Sequence, residues 1–512
     1  MIRWDTVSAL SPIEMFVKSE QAAELNEAQR KDQQYAQLGA ALVADTSVPE
    51  AVRALADDKR VTVRRAGAPD PAGTCIVYWM QRAQRGLDNA ALDKAVALGN
   101  ALGLPVVAYF AGINNFPHAN LRHYAFLNQG LVDVAEDCAA RNVGFVLRNH
   151  PHEDHLRFFS DVHAAMVVGD ENPMREPERW RVRVAEGLHI PYWTVDADVI
   201  VPSKLLEKAQ YSGAVIRPRL KRLMPDFIQP YANLKADKSW QKPEGLQADD
   251  PHQDMTAGWH GFDRSVKPVE AWSGGRKAAW QRLDLFVTSK LAKYADDRLH
   301  PERDATSRLS PYLHFGHIGP LTIVNALNAA VEKDSSLAPA RDGYFDEVIT
   351  WRELSVNFCR YQPDYDNNKC VDNWAAETIA KHDQDKRDTL YSLEQMEAAQ
   401  TYEPLWNAAQ TQMMRHGWMP NYLRMYWGKK IVEWTPDAPT AMQCMIHLND
   451  KYFLDGRDPN GYASIAWAVL GKFDRPWPER KIFGKRRYMT EASAMKKFDG
   501  KSYIRSTEAL PK

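Results

Sequence analysis

Between Cys75 and Val195, short apolar runs alternate with helix-length segments, and this alternation constrains the fold more than any other feature. Cys75-Ile-Val-Tyr-Trp79, Val106-Val-Ala-Tyr-Phe110, Val143-Gly-Phe-Val-Leu147, Ala165-Met-Val-Val168 and Tyr192-Trp-Thr-Val195 have strand length and are apolar almost throughout. Continuous apolar runs are what strands covered on both faces look like. With Asn89 to Leu102 and Leu121 to Ala140 reading as helices between them, the pattern predicts βαβ units and a Rossmann-like parallel sheet. Ligands of such sheets sit beyond the carboxyl ends of the strands. No GxGxxG follows the first run; Met80-Gln-Arg-Ala-Gln-Arg85 stands there instead, so a standard dinucleotide site is not expected.

The remainder divides by composition. Residues 1–72, including Gln21 to Val43, read as a helical extension, and 73–216 as the α/β unit. Residues 217–275, rich in Pro, Lys, Asp and Gly, read as a connector between domains. From 276 to 490 helical patterns dominate, leaving 491–512 as a tail. The net charge of −1 excludes a globally basic nucleic-acid binder, though not a local basic face. Five scattered cysteines without a CxxC pair suit a reducing, intracellular compartment and argue against a disulfide framework or a metal site. No apolar run is long enough for a bilayer, and Met1-Ile-Arg-Trp4 lacks a signal-peptide pattern. A monomer without membrane partners is expected.

The chemistry concentrates in the helical half, where most of the 16 tryptophans lie. Trp427 and Trp434 are seven residues apart, so on a helix they share a face with an axial rise of about 10 Å. Trp406, on a preceding helix, would extend the line. Such a stripe is either core or an electron path, and composition alone favours core. In Thr306-Ser-Arg-Leu-Ser-Pro-Tyr-Leu-His-Phe-Gly316, Ser310 reads as an N-cap and Pro311 as the first helical residue. Free N–H groups there suit a phosphate, and an ordinary capped turn is the plainer alternative. Glu347 and Trp351, four apart, share a helix face, where a carboxyl and an indole could grip a planar polar ligand. Arg424 and Asp455 are opposite charges in apolar surroundings, so they need partners. The tail Arg475 to Tyr488 interleaves Trp477, Phe483 and Tyr488 with Arg and Lys, as a DNA-backbone grip would.

Taken together, these segments resemble the photolyase/cryptochrome family. Thr306-Ser-Arg-Leu-Ser310, Trp351-Arg-Glu-Leu354, Asn421-Tyr-Leu-Arg424 and Asp455-Gly-Arg457 match its flavin-site motifs in order and spacing. Leu309-Ser-Pro-Tyr-Leu-His-Phe-Gly316, Val77-Tyr-Trp-Met80 and Trp351-Arg-Glu-Leu-Ser-Val-Asn-Phe358 resemble the class II cyclobutane pyrimidine dimer photolyases. The resemblance covers about Cys75 to Tyr488. It implies an α/β antenna domain, a helical FAD domain and light-driven repair of UV-damaged double-stranded DNA by electron transfer from reduced FAD.

The same resemblance assigns residues. Tyr294, Thr306, Ser307, Arg308, Leu309, Ser310, Trp351, Arg352, Leu354, Asn421, Arg424, Asn449, Asp455, Gly456 and Arg457 would contact FAD. Arg424 and Asp455 would lie near the flavin ring and Asn449 near its N5. Glu347, Trp351, Met425, Trp467 and Arg298 would face the flipped-out dimer. Trp406, Trp427 and Trp434 would carry electrons. The sequence departs from the family at Gly461, where other classes keep an asparagine, and at Arg298-Leu-His-Pro301. A deazaflavin or folate antenna could occupy the α/β cleft. The alternative is a cryptochrome-type blue-light sensor without repair. A light-independent helical DNA-binding module would show no flavin.

Overall fold

The computed structural model describes residues 26–511; the first 25 residues, including the expected helical start at Gln21, lie outside them. Six strands form one sheet: β1 (Val61–Arg65), β2 (Cys75–Met80), β3 (Val106–Gly112), β4 (Gly144–Asn149), β5 (Ala164–Asp170) and β6 (Tyr192–Val195). Their order is β1-β6-β5-β2-β3-β4. The five expected strands run parallel. Their side chains are buried on both faces, which is why they read as unbroken apolar runs.

β1 was not expected: it falls within the stretch read as helical, and it pairs antiparallel with β6, Val61 opposite Val195. Its arginines hide it. Arg64 is buried in a strand because its guanidinium is fully paired, with Glu171 and Glu178 each at 2.9 Å and Thr194 Oγ1 at 2.7 Å. Only Val61 and Val63 alternate into the core before the two arginines, too short an apolar pattern to read as a strand. The helix Glu27–Ala44 ahead of it opens with a capping box between Asn26 and Gln29. It packs on β1 and reaches the helical half, where Asn26 Nδ2 donates to Tyr361 O at 2.8 Å and Tyr361 Oη to Asp32 at 2.8 Å.

The stretch read as a connector is largely irregular after the helix Gly213–Leu223, but it is not loose. It runs along the open β4 edge, where Asp249 N donates to Leu147 O at 2.8 Å, and so shields an edge strand. Beyond Arg276 the structure is helical. Two helical stretches, 280–297 and 344–361, are each interrupted by a π-helical segment, at Phe286–Lys290 and Asp346–Trp351. The tail also holds helices, Glu491–Lys497 and Gly500–Glu508. No helix among the described residues is long and apolar enough to cross a membrane.

The helical half has two apolar cores. One surrounds Trp406, Trp427 and Trp434; the other surrounds Leu309, Tyr312, Tyr344 and Trp418. Phe453 belongs to the first and Leu454 to the second, so the segment Asn449–Arg457 runs between them.

Candidate functional site

The segment Thr306–Ser310 is drawn together by aromatic hydroxyls and indoles from elsewhere. Tyr344 Oη donates to Ser307 Oγ at 2.7 Å, and Trp418 Nε1 donates to Ser310 Oγ at 3.2 Å. Leu309, not Ser310, occupies the cap position; Ser310 and Pro311 open the short helix Ser310–His314, and no side chain caps it. Arg308 holds a left-handed backbone (φ 54°), pairs with Asp304 at 2.7 Å and lies 5.1 Å from the Trp418 ring. Its Nε is buried and unpartnered. Tyr294, buried, packs edge-on against Tyr344 with ring centres 5.2 Å apart. Thr306, Ser307 and Arg308 stay half-buried, so this cluster offers hydroxyls and a guanidinium N–H to an anion. Tyr344 and Trp418 carried no motif and were missed.

Across the gap between the cores, Arg424 and Asp455 form a two-pronged ion pair at 3.0 and 2.9 Å. Arg424 also stacks 3.9 Å from the Phe453 ring and donates to Met419 O at 2.9 Å. Next to them Asp450, fully buried, organises the turn. It accepts from Asn449 Nδ2 at 2.8 Å, Arg457 N at 2.9 Å and Tyr462 Oη at 2.8 Å. A carboxylate only accepts, so this bond fixes which way the Asn449 amide faces. Gly456 has no room for a side chain, since a Cβ would fall 2.5 Å from Asn449 O. Gly461 lies against the same amide, where a Cβ would stand 3.0 Å from Asn449 Nδ2. The glycine that looked like a departure therefore leaves the space Asn449 fills. Asn421 is exposed at the first position of the helix Asn421–Trp434.

Trp351 and Trp467 stack with ring centres 5.3 Å apart and planes 23° from parallel, and both are half-buried. Gly213 abuts Trp351, its would-be Cβ 3.1 Å from the ring. One π-helical stretch carries both Glu347 and Trp351. Glu347 is paired with Arg298 at 2.6 Å, and each side chain remains about one third exposed. Burial pushes the Glu347 carboxyl above its usual range despite the Arg298 cation. Met425, half-buried, sits on the helix that carries Trp427.

The indoles are ordered differently from the expectation. Trp406 does not extend the line but lies between the other two. It is parallel to Trp427 (6.4 Å, 7°) and edge-on to Trp434 (5.4 Å, 71°). Trp427 Nε1 donates to Gln410 at 2.9 Å and Trp406 Nε1 to Trp427 O at 3.1 Å. All three are buried.

Three more of the assigned residues lie in other surroundings. Leu354 packs in the core with Leu309. Arg352 faces the α/β unit and donates to Asp198 O, with Nε and Nη2 unpartnered. Arg457 lines a second cavity, of about 670 Å³, at the carboxyl ends of β2 and β3. Aromatic rings of Trp79, Phe116, Tyr124 and Tyr462 also line it. Burial holds the Arg457 guanidinium down at about 10, and its Nε and Nη1 are buried without partners. The cavity sits where the strand order reverses. It has no phosphate cradle, because the backbone N–H groups of Gln81, Arg82 and Ala83 already donate to the buried Asp170 carboxylate.

The basic tail forms a hairpin, Trp477 N donating to Lys485 O at 2.8 Å. Trp477 and Tyr488 are exposed, with Arg487 and Arg480 over their rings. Arg486 and Phe483 are buried, Arg486 donating to Val469, Ile482 and Phe483 carbonyls, so neither is on the outer face.

Residues 76–236 match the DNA photolyase family. The deoxyribodipyrimidine photo-lyase of Methanothermobacter thermautotrophicus is 38% identical over 440 residues, 85% of this chain and 95% of that one. The protein of the same name from Oryza sativa is 36% identical over 472 residues, covering 88% and 90%. Two solved structures share the fold at lower identity. A class III photolyase from Agrobacterium tumefaciens has a TM-score of 0.63 at 19% identity, covering 85% of this chain and 86% of that one. A Synechocystis cryptochrome has 0.67 at 16%, covering 85% and 88%.

Proposed function

The chain belongs to the DNA photolyase family, and from that premise we propose that it is a class II deoxyribodipyrimidine photo-lyase acting on UV-damaged duplex DNA. The residues suit FAD. Thr306, Ser307 and the free Arg308 Nε would hold its phosphates; the Arg424–Asp455 pair and the oriented Asn449 amide would border its ring. Reduced flavin, when bound, supplies the light-driven electron that opens the cyclobutane ring.

The protein's own part is to bind, orient and exclude water. The half-open Trp351–Trp467 wall offers two indole faces to a flipped dimer, and Met425 would line the same pocket. Glu347 would hydrogen-bond the dimer and stabilise negative charge on it; burial raises its carboxyl while the Arg298 cation opposes that shift. Arg298 holds that carboxyl before the lesion arrives. Lys and Arg of the hairpin's outer face would take phosphates. Trp427, Trp406 and Trp434 would refill the cofactor with electrons. The second cavity, aromatic and holding unpartnered Arg457 donors, suits a planar antenna chromophore such as a deazaflavin or folate.

The observation that carries repair over light sensing is the indole wall with the Glu347–Arg298 pair beside it. Glu347→Ala should lower the repair yield under blue light by about tenfold or more, consistent with loss of one charge-stabilising donor. Affinity for lesion DNA should change much less. Equal repair in variant and wild type would contradict this placement, and a preparation unable to take up flavin would reject the whole reading.

A further inference from the structure

The tryptophan path stops short of solvent. Trp434, its outer member, is only 1% exposed, and its Nε1–H is buried without an acceptor. An indole cation radical there has no base to take its proton. The Lys430 ammonium also lies 4.9 Å from the centre of the Trp434 ring. That contact is attractive for a neutral ring and becomes repulsive once the ring is positive. Glu403 and Glu433 pair with Lys430 at 2.8 and 2.6 Å and soften this charge, but the ammonium is the group over the ring. Trp434 is thus a place for a hole to cross, not to rest.

Two phenols continue the path. Tyr391 lies edge-on to Trp434 at 5.3 Å and Tyr402 at 5.6 Å. Tyr402 is 57% exposed. Tyr391 is half-buried, and its hydroxyl oxygen accepts from Tyr402 N at 2.8 Å, which draws electron density from that phenol.

We propose that Tyr402 is the terminal electron donor of the Trp427–Trp406–Trp434 path and the residue at which external reductants act. This rests on the flavoprotein reading above. Tyr402 gives one electron to the Trp434 cation radical and its phenolic proton to bulk water, leaving a neutral tyrosyl radical. A small thiol then returns one electron and one proton to that radical and becomes a thiyl radical. Proton loss to water makes the charge separation long-lived.

The test uses full-length, flavin-loaded protein and four chains: wild type, Tyr402→Phe, Tyr391→Phe and Trp427→Phe. Transient absorption and electron paramagnetic resonance after excitation of oxidised flavin identify the radical. Wild type and Tyr391→Phe should show a neutral tyrosyl signal that Tyr402→Phe lacks. In Tyr402→Phe the separated charges should recombine at least tenfold faster, and thiol-driven photoreduction should slow several-fold. Repair by chemically pre-reduced protein should be unchanged, which shows that the variant is folded. A tyrosyl signal that survives in Tyr402→Phe, that vanishes in Tyr391→Phe instead, or that is absent from wild type overturns the proposal. If photoreduction is indifferent to Trp427→Phe, the tryptophan-path reading itself has failed.

Discussion

Asn449 and Gly461 are twelve residues apart in sequence and in contact in space, and their pairing explains both. On one strand of text, Gly461 is a missing asparagine and Asn449 an isolated candidate. In the fold, a side chain at 461 would press on the Asn449 amide, so one position can carry the amide only if the other is small. Gly461→Ala should therefore push the Asn449 amide off its bond to Asp450 by a few tenths of an ångström. Overpacking of this kind costs roughly 1–3 kcal/mol. A lowered thermal midpoint, with a shifted redox titration of the bound flavin, is the expected result, and an unchanged titration would deny Asn449 its place at the ring. Ser307, Arg308, Arg424 and Asp455 stand out in the sequence because each sits in a short recognisable run. Asp450, Tyr344 and Trp418 do not, since their roles come from hydrogen bonds between distant segments. Adjacency in a motif says nothing about which side of the backbone a guanidinium leaves from: Arg352 reaches Asp198 O, and Arg457 lines the cavity at the ends of β2 and β3.

At the scale of elements, two features escape periodicity. A count of 3.6 residues per turn cannot register a local slip to i→i+5 bonding, yet the slip at Asp346–Trp351 carries both Glu347 and Trp351. Such π-helical turns recur at functional sites. The hairpin at Trp477–Lys485 was read from composition as a basic strip, and the fold turns half of it inward. It is fastened by His382, whose Nδ1 meets Asp385 and whose Nε2 meets Glu479, each at 2.7 Å. Burial opposes a charged imidazole here, but the two carboxylates outweigh it and raise His382 above its ordinary value. A raised value in the folded state means the clamp is fully present below the unfolded value of about 6.5 and is lost as pH rises through the folded one. Fluorescence of Trp477 should accordingly report hairpin loosening on alkalinisation above that point, and His382→Gln should remove the pH dependence. A wild-type hairpin indifferent to pH across this range would show that the clamp contributes nothing.

The whole molecule is held by a buried seam between the sheet and the helices. Glu353 accepts from Ile200 N at 2.6 Å and also from Val201 N, Arg85 donates to Gly316 O at 2.9 Å, and Asn357 accepts from Gln210 N at 2.8 Å. Burial pushes the Glu353 carboxyl up to about 8, although the two N–H donors pull the other way. The folded chain thus keeps a proton that the unfolded chain releases near pH 4.5. Stability should fall as pH rises from that value through about 8, by at most about 1.4 kcal/mol per unit. Glu353→Gln, which keeps a carbonyl acceptor, should flatten this dependence, as measured by urea midpoints at several pH values. An unchanged slope would place the titrating group elsewhere. The α/β-then-helical plan of the molecule could be read from the sequence, because five strands announce themselves by apolar content. β1 could not, because its apolar content is limited to Val61 and Val63 and the next two residues are arginines.

That sixth strand also sets an order of events. β1 can find its partner only when residues 192–195 exist, and the helix ahead of it is tied to Tyr361, more than 300 positions downstream. On a ribosome, the segment 26–65 must wait for the helical half before it can dock. Long-range closure of this sort is slow, and domains otherwise fold as they emerge. Residues 26–65 are thus among the last described parts to become native, and their docking marks a chain whose two halves have already met.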